Sequence, residues 1–300
     1  MLLETSSGIQ TSKHTKRIQM LLFRKTVVLL LVLSPFAFAE EDFKTYDTQR
    51  LYESKDFALG VDVSLVRFDT NIKSSSKNSD RAIFFDVEGN FDLPEISTVY
   101  SIFGAYRFND NHGLLLNYFS VKRSSNTLSI DESYGDVISV KADVNVEDRS
   151  KFLNLSYGYS FFHSNSGSVT FVAGLNAMNL AYKVEMQGEL IIDGHRAPEK
   201  ILFDENLFVP LPLVGLNFRY NYTKDFAVAT NVSFVAGAYK NVKAGILQTS
   251  VNALYNVSDH VGLLLGLTYF DANIEIEKET IEHKVVYGYK GATAGVYFTF

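Results

Sequence analysis

Of the residues whose types and spacing could do chemistry, "HSNSG" over 163–167 comes first. A nucleophilic serine needs a base within hydrogen-bond reach and a third group to orient that base. His163 and Ser164 supply the first two residue types, which would suit a hydrolase. They are adjacent, however, and adjacent residues of an extended chain point to opposite faces. Asn, Ser and Gly are also ordinary turn formers, so the stretch reads as a polar turn and no catalytic residue is assigned. His112 after Asp110, and His260 beside Asp259, fall in similar polar turns. His195 and His283 lack a metal-ligand pattern. Acids gather at Asp131, Glu132 and Asp136, and again at Glu275, Glu277, Glu279 and Glu282. Neither group has the ligand spacing of a calcium loop, so both read as solvated loop acids and no metal is expected. "GATAG" (291–295) lies inside an alternating stretch and not before a helix, which excludes a phosphate loop. The chain has no cysteine, hence no disulfide and no thiolate metal site. No cofactor is implied.

The elements that carry these residues follow a period of two. Phe57, Leu59, Val61, Val63 and Leu65 alternate with Ala58, Gly60, Asp62 and Ser64. The same holds for 153–161, 214–222 and 247–257. In a soluble sandwich the polar face meets water and tends to carry Lys, Glu and Thr. Here it is mostly Gly, Ser, Asn and Ala, which suits a narrow enclosed lumen, while the long apolar, Tyr- and Phe-ended face suits lipid.

Residues 20–40, "MLLFRKTVVLLLVLSPFAFAE", have a basic start, an apolar run and small residues at Ala37 and Ala39. That is the pattern of a secretory signal peptide cut after Ala39. The run from Thr26 to Leu33 falls far short of the ~20 residues of a membrane-spanning helix. Residues 1–39 are therefore expected to be an extension and signal peptide, with Met20 a candidate start, and 40–300 a single barrel domain. Removing 1–39 takes away five basic residues and one acid, moving the formal net charge from −6 to −10. Such a surface gives no reason to expect nucleic-acid binding.

Connections alternate in length. Brief polar turns occur within 106–113, 159–167, 220–226 and 255–262, each after a tyrosine. Longer polar stretches lie near 70–96, 123–150, 186–209 and 274–284, with a shorter one near 240. Short turns on the periplasmic side and long loops outside are the habit of outer-membrane barrels. The expected fold is an all-β, antiparallel up-and-down transmembrane barrel of about ten strands, with eight or twelve as alternatives.

The chain resembles a small, single-domain Gram-negative outer-membrane β-barrel protein. The signal peptide, the alternating strands and the closing "VYFTF" carry the resemblance. It implies that Ala294, Val296, Phe298 and Phe300 form the assembly signal read by the barrel-assembly machinery. It also implies periplasmic chaperones, outer-membrane lipids and lipopolysaccharide as partners, and a monomer. Some outer-membrane lipases and lipid A deacylases resemble the His163–Ser164 stretch in placing His and Ser close together on a strand. Three functions stay open: a structural or surface-interaction barrel with a filled lumen, a narrow channel for small solutes or ions, and a lipid-modifying hydrolase. Interiors of about eight strands are just filled whereas open porins use about 16 to 18, so ten strands favour a closed lumen. Asp62, Arg67, Arg107 and Arg219 are expected to face inward and to pair there.

Overall fold

The computed structural model describes residues 57–76, 82–91, 93–125, 128–134, 138–164, 166–192, 195–196, 200–277 and 281–300. In chain order the elements are β1 (Phe57–Ser76), β2 (Ala82–Asp86), α1 (Val87–Phe91), β3 (Ile96–Arg107), β4 (His112–Val121) and β5 (Arg123–Ser124). Next come β6 (Leu128–Tyr134), β7 (Ile138–Asp148), β8 (Lys151–Ser164), β9 (Gly167–Ile192) and β10 (His195–Arg196). The chain continues through β11 (Lys200–Asn221), β12 (Phe226–Tyr239), β13 (Val242–Asn256), β14 (Val261–Glu277) and β15 (Ile281–Thr299).

Ten of these strands close a cylinder. β1, β3, β4, β8, β9, β11, β12, β13, β14 and β15 pair antiparallel in that order, and β15 returns to β1 from Ala58↔Thr299 to Ser76↔Ile281. Closure leaves no sheet edge among these ten strands, the condition for placing strands in lipid, where each unpaired backbone group costs several kcal/mol.

Four short turns lie at one end, as expected, and their polar sequences have a local job. The side-chain oxygens of Asn109, Thr223 and Ser258 each accept two backbone N–H bonds within their own turn. At the other end the structure departs from expectation. The stretches near 186–209 and 274–284 are not long loops. β9 and β11 stay paired from Gly167↔Tyr220 to Gln187↔Lys200, and β14 and β15 pair up to Glu277↔Glu282. Backbone pairing continues past the apolar band because water-exposed antiparallel strands tolerate polar side chains on one face. The 122–150 connection holds β5, β6 and β7, with β7 pairing onto the β9 extension.

The facing of the strands explains the sequence and adds to it. In the half nearer the turns, apolar residues point outward. Leu59, Val61, Val63, Leu65, Leu155, Leu216, Leu265 and Leu267 are exposed on the barrel wall, while Ser64, Asn154, Ser156 and Thr293 are buried inside. On β1 this band runs over 57–65, about 20–25 Å tall at ~3.3 Å per residue and the usual strand tilt. Above it the alternation changes phase. Val66 and Phe68 are buried within the barrel, and Arg67 points outward. On β13 the inward face runs from Asn252 and Gln248, against the cavity, to buried Ile246, Ala244 and Val242. Here the solvent outside is water, so the apolar face turns inward and forms a core of the ordinary soluble kind.

Candidate functional site: the lumen

The lumen has two parts. The part nearer the turns is a polar cavity of about 980 Å³, reached from the turn end between residues such as Asp110, Lys224 and His260. Its wall is built from the small and amide residues that alternate with the lipid-facing ones. Asn117, Asn154 and Asn176 stand side by side on β4, β8 and β9. Asn176 donates to Asn154, and Asn154 Nδ2 donates to Gln248 Oε1 at 3.2 Å, tying β8 to β13 across the interior. Asn231 of β12 donates to Asn217 of β11, and Ser233 Oγ donates to Asn231 Oδ1 at 3.0 Å. Such side-chain ladders fix the strands without blocking the space between them.

The cavity ends against Phe119 and Tyr289. These belong to an aromatic plug drawn from five strands: Phe68, Phe119, Phe152, Phe270, Tyr287 and Tyr289, all buried. Phe119 and Phe152 stack at 4.6 Å between ring centroids, Phe270 and Tyr289 at 5.0 Å. Phe270 meets Phe152 edge-on at 5.2 Å. Met178, Leu211, Leu213, Val235 and Ile246 belong to the same cluster and come from β9, β11, β12 and β13. Offset-stacked and edge-to-face pairs of this kind add about 0.5–1.5 kcal/mol each beyond burial.

Above the plug sits a buried ionic latch. Arg123 of β5 points down onto it, its guanidinium carbon 4.0 Å from the Phe68 ring centre. It pairs with Asp148 of β7 (Nη2–Oδ2 3.1 Å) and with Glu88 of α1 (Nη1–Oε1 2.5 Å). Arg123 and Asp148 have fully buried side chains. Glu88 Oε2 also accepts the Thr70 backbone N–H at 2.7 Å, and Ser150 Oγ donates to Asp148 Oδ1 at 2.6 Å. α1 is held in place by Asp86, whose Oδ1 accepts the Gly89 N–H at 3.0 Å at the helix start. Two connections, 77–95 and 122–150, are thereby joined through one arginine. Burial pushes the Asp148 carboxyl above its ordinary range, opposed by Arg123 and Ser150.

Asp62, Arg107 and Arg219 line the polar cavity. Arg219 Nε donates to Asn221 Oδ1 at 2.9 Å. Arg67 does not join them. It lies on the outward face, half-exposed or more, and pairs with Glu95 at 2.7 Å. The reason is the fixed period of the strand: Arg67 shares parity with Val63 and Leu65, and it leaves the lipid by rising above the band, not by turning inward. Aromatic rings, and not arginines, pack across the lumen above the polar cavity. His163 and Ser164 are the last residues of β8, after a bulge near Phe161. His163 lines the cavity, whereas Ser164 Oγ bonds to Ser166 Oγ and the Gly167 carbonyl. His112 Nδ1 bonds the Tyr157 hydroxyl, and His260 Nδ1 bonds the Thr299 carbonyl at 3.0 Å.

Glu275 and Glu277 are engaged by Lys284 and Lys243 at 2.6 and 2.5 Å. Among the described residues no group of three His, Asp or Glu could hold a metal ion. Asp136, Glu279, Ala37, Ala39 and Met20 lie outside the described residues. Ala294 and Phe298 are exposed on the outward face of β15, with Val296 at the same parity, and Phe300, just past the strand, is exposed too. The plug and latch residues carried no role in the sequence reading. The signal that could have found the plug is the phase change itself, visible in Val66 and Phe68 directly after Leu65. Nothing in the sequence marks Arg123 as buried.

A closed ten-stranded barrel with an apolar outer band and a polar inner wall defines an outer-membrane β-barrel protein. The chain belongs to the family described as the Legionella pneumophila major outer membrane protein precursor, whose model matches residues 52–290. Its place is the outer membrane. The outer membrane protease OmpT from Escherichia coli is similar in fold, at 11% identity and a TM-score of 0.51, over 83% of this chain and 99% of that one. The translocator domain of the autotransporter NalP from Neisseria meningitidis matches at 11% identity and a TM-score of 0.43, over 99% and 100% of the two chains. The outer membrane protein OprG from Pseudomonas aeruginosa matches at 12% identity and a TM-score of 0.34, over 82% and 96%. At these identities the likeness concerns the fold alone. No curated protein matches the chain.

Proposed function

We propose that this protein is a closed outer-membrane barrel with a structural or surface-interaction role, and not an open porin or a lipid hydrolase. The aromatic plug carries this reading. Six buried rings and the aliphatic residues facing them fill the lumen, and water or ions would have to cross a dry, close-packed layer. Against hydrolysis stands Ser164, whose hydroxyl is engaged by its own turn, with His163 directed to the cavity. On this reading the protein works as a monomer among outer-membrane lipids and lipopolysaccharide. Periplasmic chaperones and the barrel-assembly machinery bring it there, the latter through the outward face of β15. The test is single-channel recording in a planar bilayer, where the barrel should give no steady conductance. Porin-like steps from the unaltered protein would overturn it. The polar cavity favours a second reading, a narrow solute passage that opens when the plug and latch withdraw. Brief, rare openings in the same recording would select it.

A further inference from the structure

The wall of the polar cavity is built mostly of neutral groups that both donate and accept. Twelve Ser and Thr residues and eight Asn and Gln residues line it. Against these stand four acids (Asp62, Asp110, Asp225 and Asp259), three cations (Arg107, Arg219 and Lys224) and three histidines. Acids and cations nearly cancel. Lys224 lies 4.0 Å from the Asp225 carboxylate, and Arg219 donates to Asn221, so the cavity selects neither an anion nor a cation. Ligand pockets of about 300–1,000 Å³ usually carry only a few polar groups on an apolar lining. This one, at about 980 Å³, carries many more, which calls for an occupant that is itself rich in hydrogen-bonding groups.

The amides hold one another in place and keep groups to spare. Asn217 Oδ1 accepts from Asn231, and Gln248 Oε1 accepts from Asn154 at 3.2 Å. Each side-chain amide also has two N–H donors. Those of Asn217 and Gln248 have no protein partner among the described residues and are not buried, so they face the open space. Two aromatic rings lie along the same wall because glycine makes room for them. The Phe103 ring covers Gly60 and the Tyr297 ring covers Gly262, each so closely that a Cβ on the glycine would collide with it. Tyr297 is fixed there by its hydroxyl, which donates to Asn256 Oδ1 at 2.5 Å. Rings pressed against the wall turn their other face to the cavity, which both residues line.

We propose that this cavity is a binding site for a neutral oligosaccharide entering from the turn end. Sugar hydroxyls donate and accept at once, as the Ser, Thr, Asn and Gln side chains of the wall do. The C–H face of a sugar ring packs on an aromatic face, which Phe103 and Tyr297 offer. Short turns face the periplasm in barrels of this kind, so the sugar comes from there, either free or as the end of a wall glycan. The site goes beyond the closed-barrel reading and does not depend on it. The plug decides only whether a bound sugar can pass on, and the bilayer recording reads that separately.

The test uses the full barrel folded in lauryldimethylamine oxide, a detergent without a sugar head, at about pH 8, where histidines are neutral. Maltotriose and triacetylchitotriose are the probes, and saturation-transfer NMR titration is the readout. Saturable binding of either sugar is expected. The tighter of the two names the source, a free glucan for maltotriose and an acetamido glycan such as a wall strand for triacetylchitotriose. Q248A and F103A should each weaken binding about fivefold, the worth of one neutral hydrogen bond or one ring contact. T268W fills the cavity from a residue whose side chain has no hydrogen bond among the described residues, and should abolish binding. R67A, on the outer wall, should bind as the unaltered protein does. Heat-resistant migration of each variant shows that its barrel is closed. No saturable transfer to either sugar would overturn the site, as would equal binding by the Q248A, F103A and T268W proteins. Trialanine displacing the sugar at equal concentration would also overturn it, and would assign the cavity to peptides.

Discussion

Replacing Arg123 by alanine tests the latch most directly. The change removes ion pairs to Asp148 and Glu88, a hydrogen bond to Thr70 Oγ1 at 3.3 Å, and the contact over the Phe68 ring. It leaves Asp148 fully buried and Glu88 nearly so, with their cation gone. Removing one partner of a buried ion pair costs about 3–5 kcal/mol, chiefly because the remaining charge stays desolvated. A desolvated cation over an aromatic ring is worth about 2 kcal/mol, but the two effects share one side chain and do not add. The expected loss is therefore about 3–5 kcal/mol, read from urea titration of the barrel folded into lipid vesicles. A second variant separates charge from packing. Arg123→Met combined with Glu88→Gln and Asp148→Asn removes all three charges, and apolar or neutral replacement of a buried triad is often neutral or stabilising. It should recover most of the loss. A cost below about 1 kcal/mol for Arg123→Ala is the range of an exposed pair, and would refute the view that the latch is dry.

Leu155→Arg or Leu216→Arg, on the lipid face, should cost about 2–4 kcal/mol in the same titration, and tolerance of both would reverse the facing assigned here. Phe270→Ala should cost about 3–5 kcal/mol and raise conductance in a planar bilayer, whereas Arg219→Ala should leave conductance unchanged because it lines the cavity beneath the plug. Because burial raises the Asp148 pKa, the folded state binds more protons than the unfolded one, whose carboxyl titrates near ~3.9. That contribution to stability is present below the unfolded pKa and is lost as pH rises through the folded one. Asp148→Asn should flatten this fall in the urea midpoint, and an unchanged pH profile would count against it.

The barrel was legible because lipid outside and a polar lumen inside impose one alternation on every strand. Leu155 and Leu216 could be placed outward, and the four turns located, from that rule and turn chemistry alone. Arg67 shows where reading by residue type misleads. Its charge suggested the lumen, while its parity with Val63 and Leu65 fixed it outside. The strands over 186–192 and 200–209 were hidden because water-exposed β-extensions need no apolar face toward lipid, so their composition is that of loops. The plug was hidden by a focus on the membrane band, although Val66 and Phe68 already break the pattern. The latch was not legible at all: Glu88, Arg123 and Asp148 meet only because α1, β5 and β7, drawn from two connections, converge over one lumen.

The change of phase after Leu65 also acts as a ruler. Sinking the barrel by two residues, about 5 Å along the membrane normal, would carry Arg67 and Lys290 into hydrocarbon. Raising it equally far would lift Leu65 and Leu267 into water, at about 1.5–3 kcal/mol for each leucine fully exposed. Both displacements are opposed, so Arg67 and Lys290 resist sinking on the β1–β15 side of the wall. The polar short turns bound the other edge of the band in the same way, so a bilayer thicker or thinner than the band must deform around a barrel whose height is fixed at both edges.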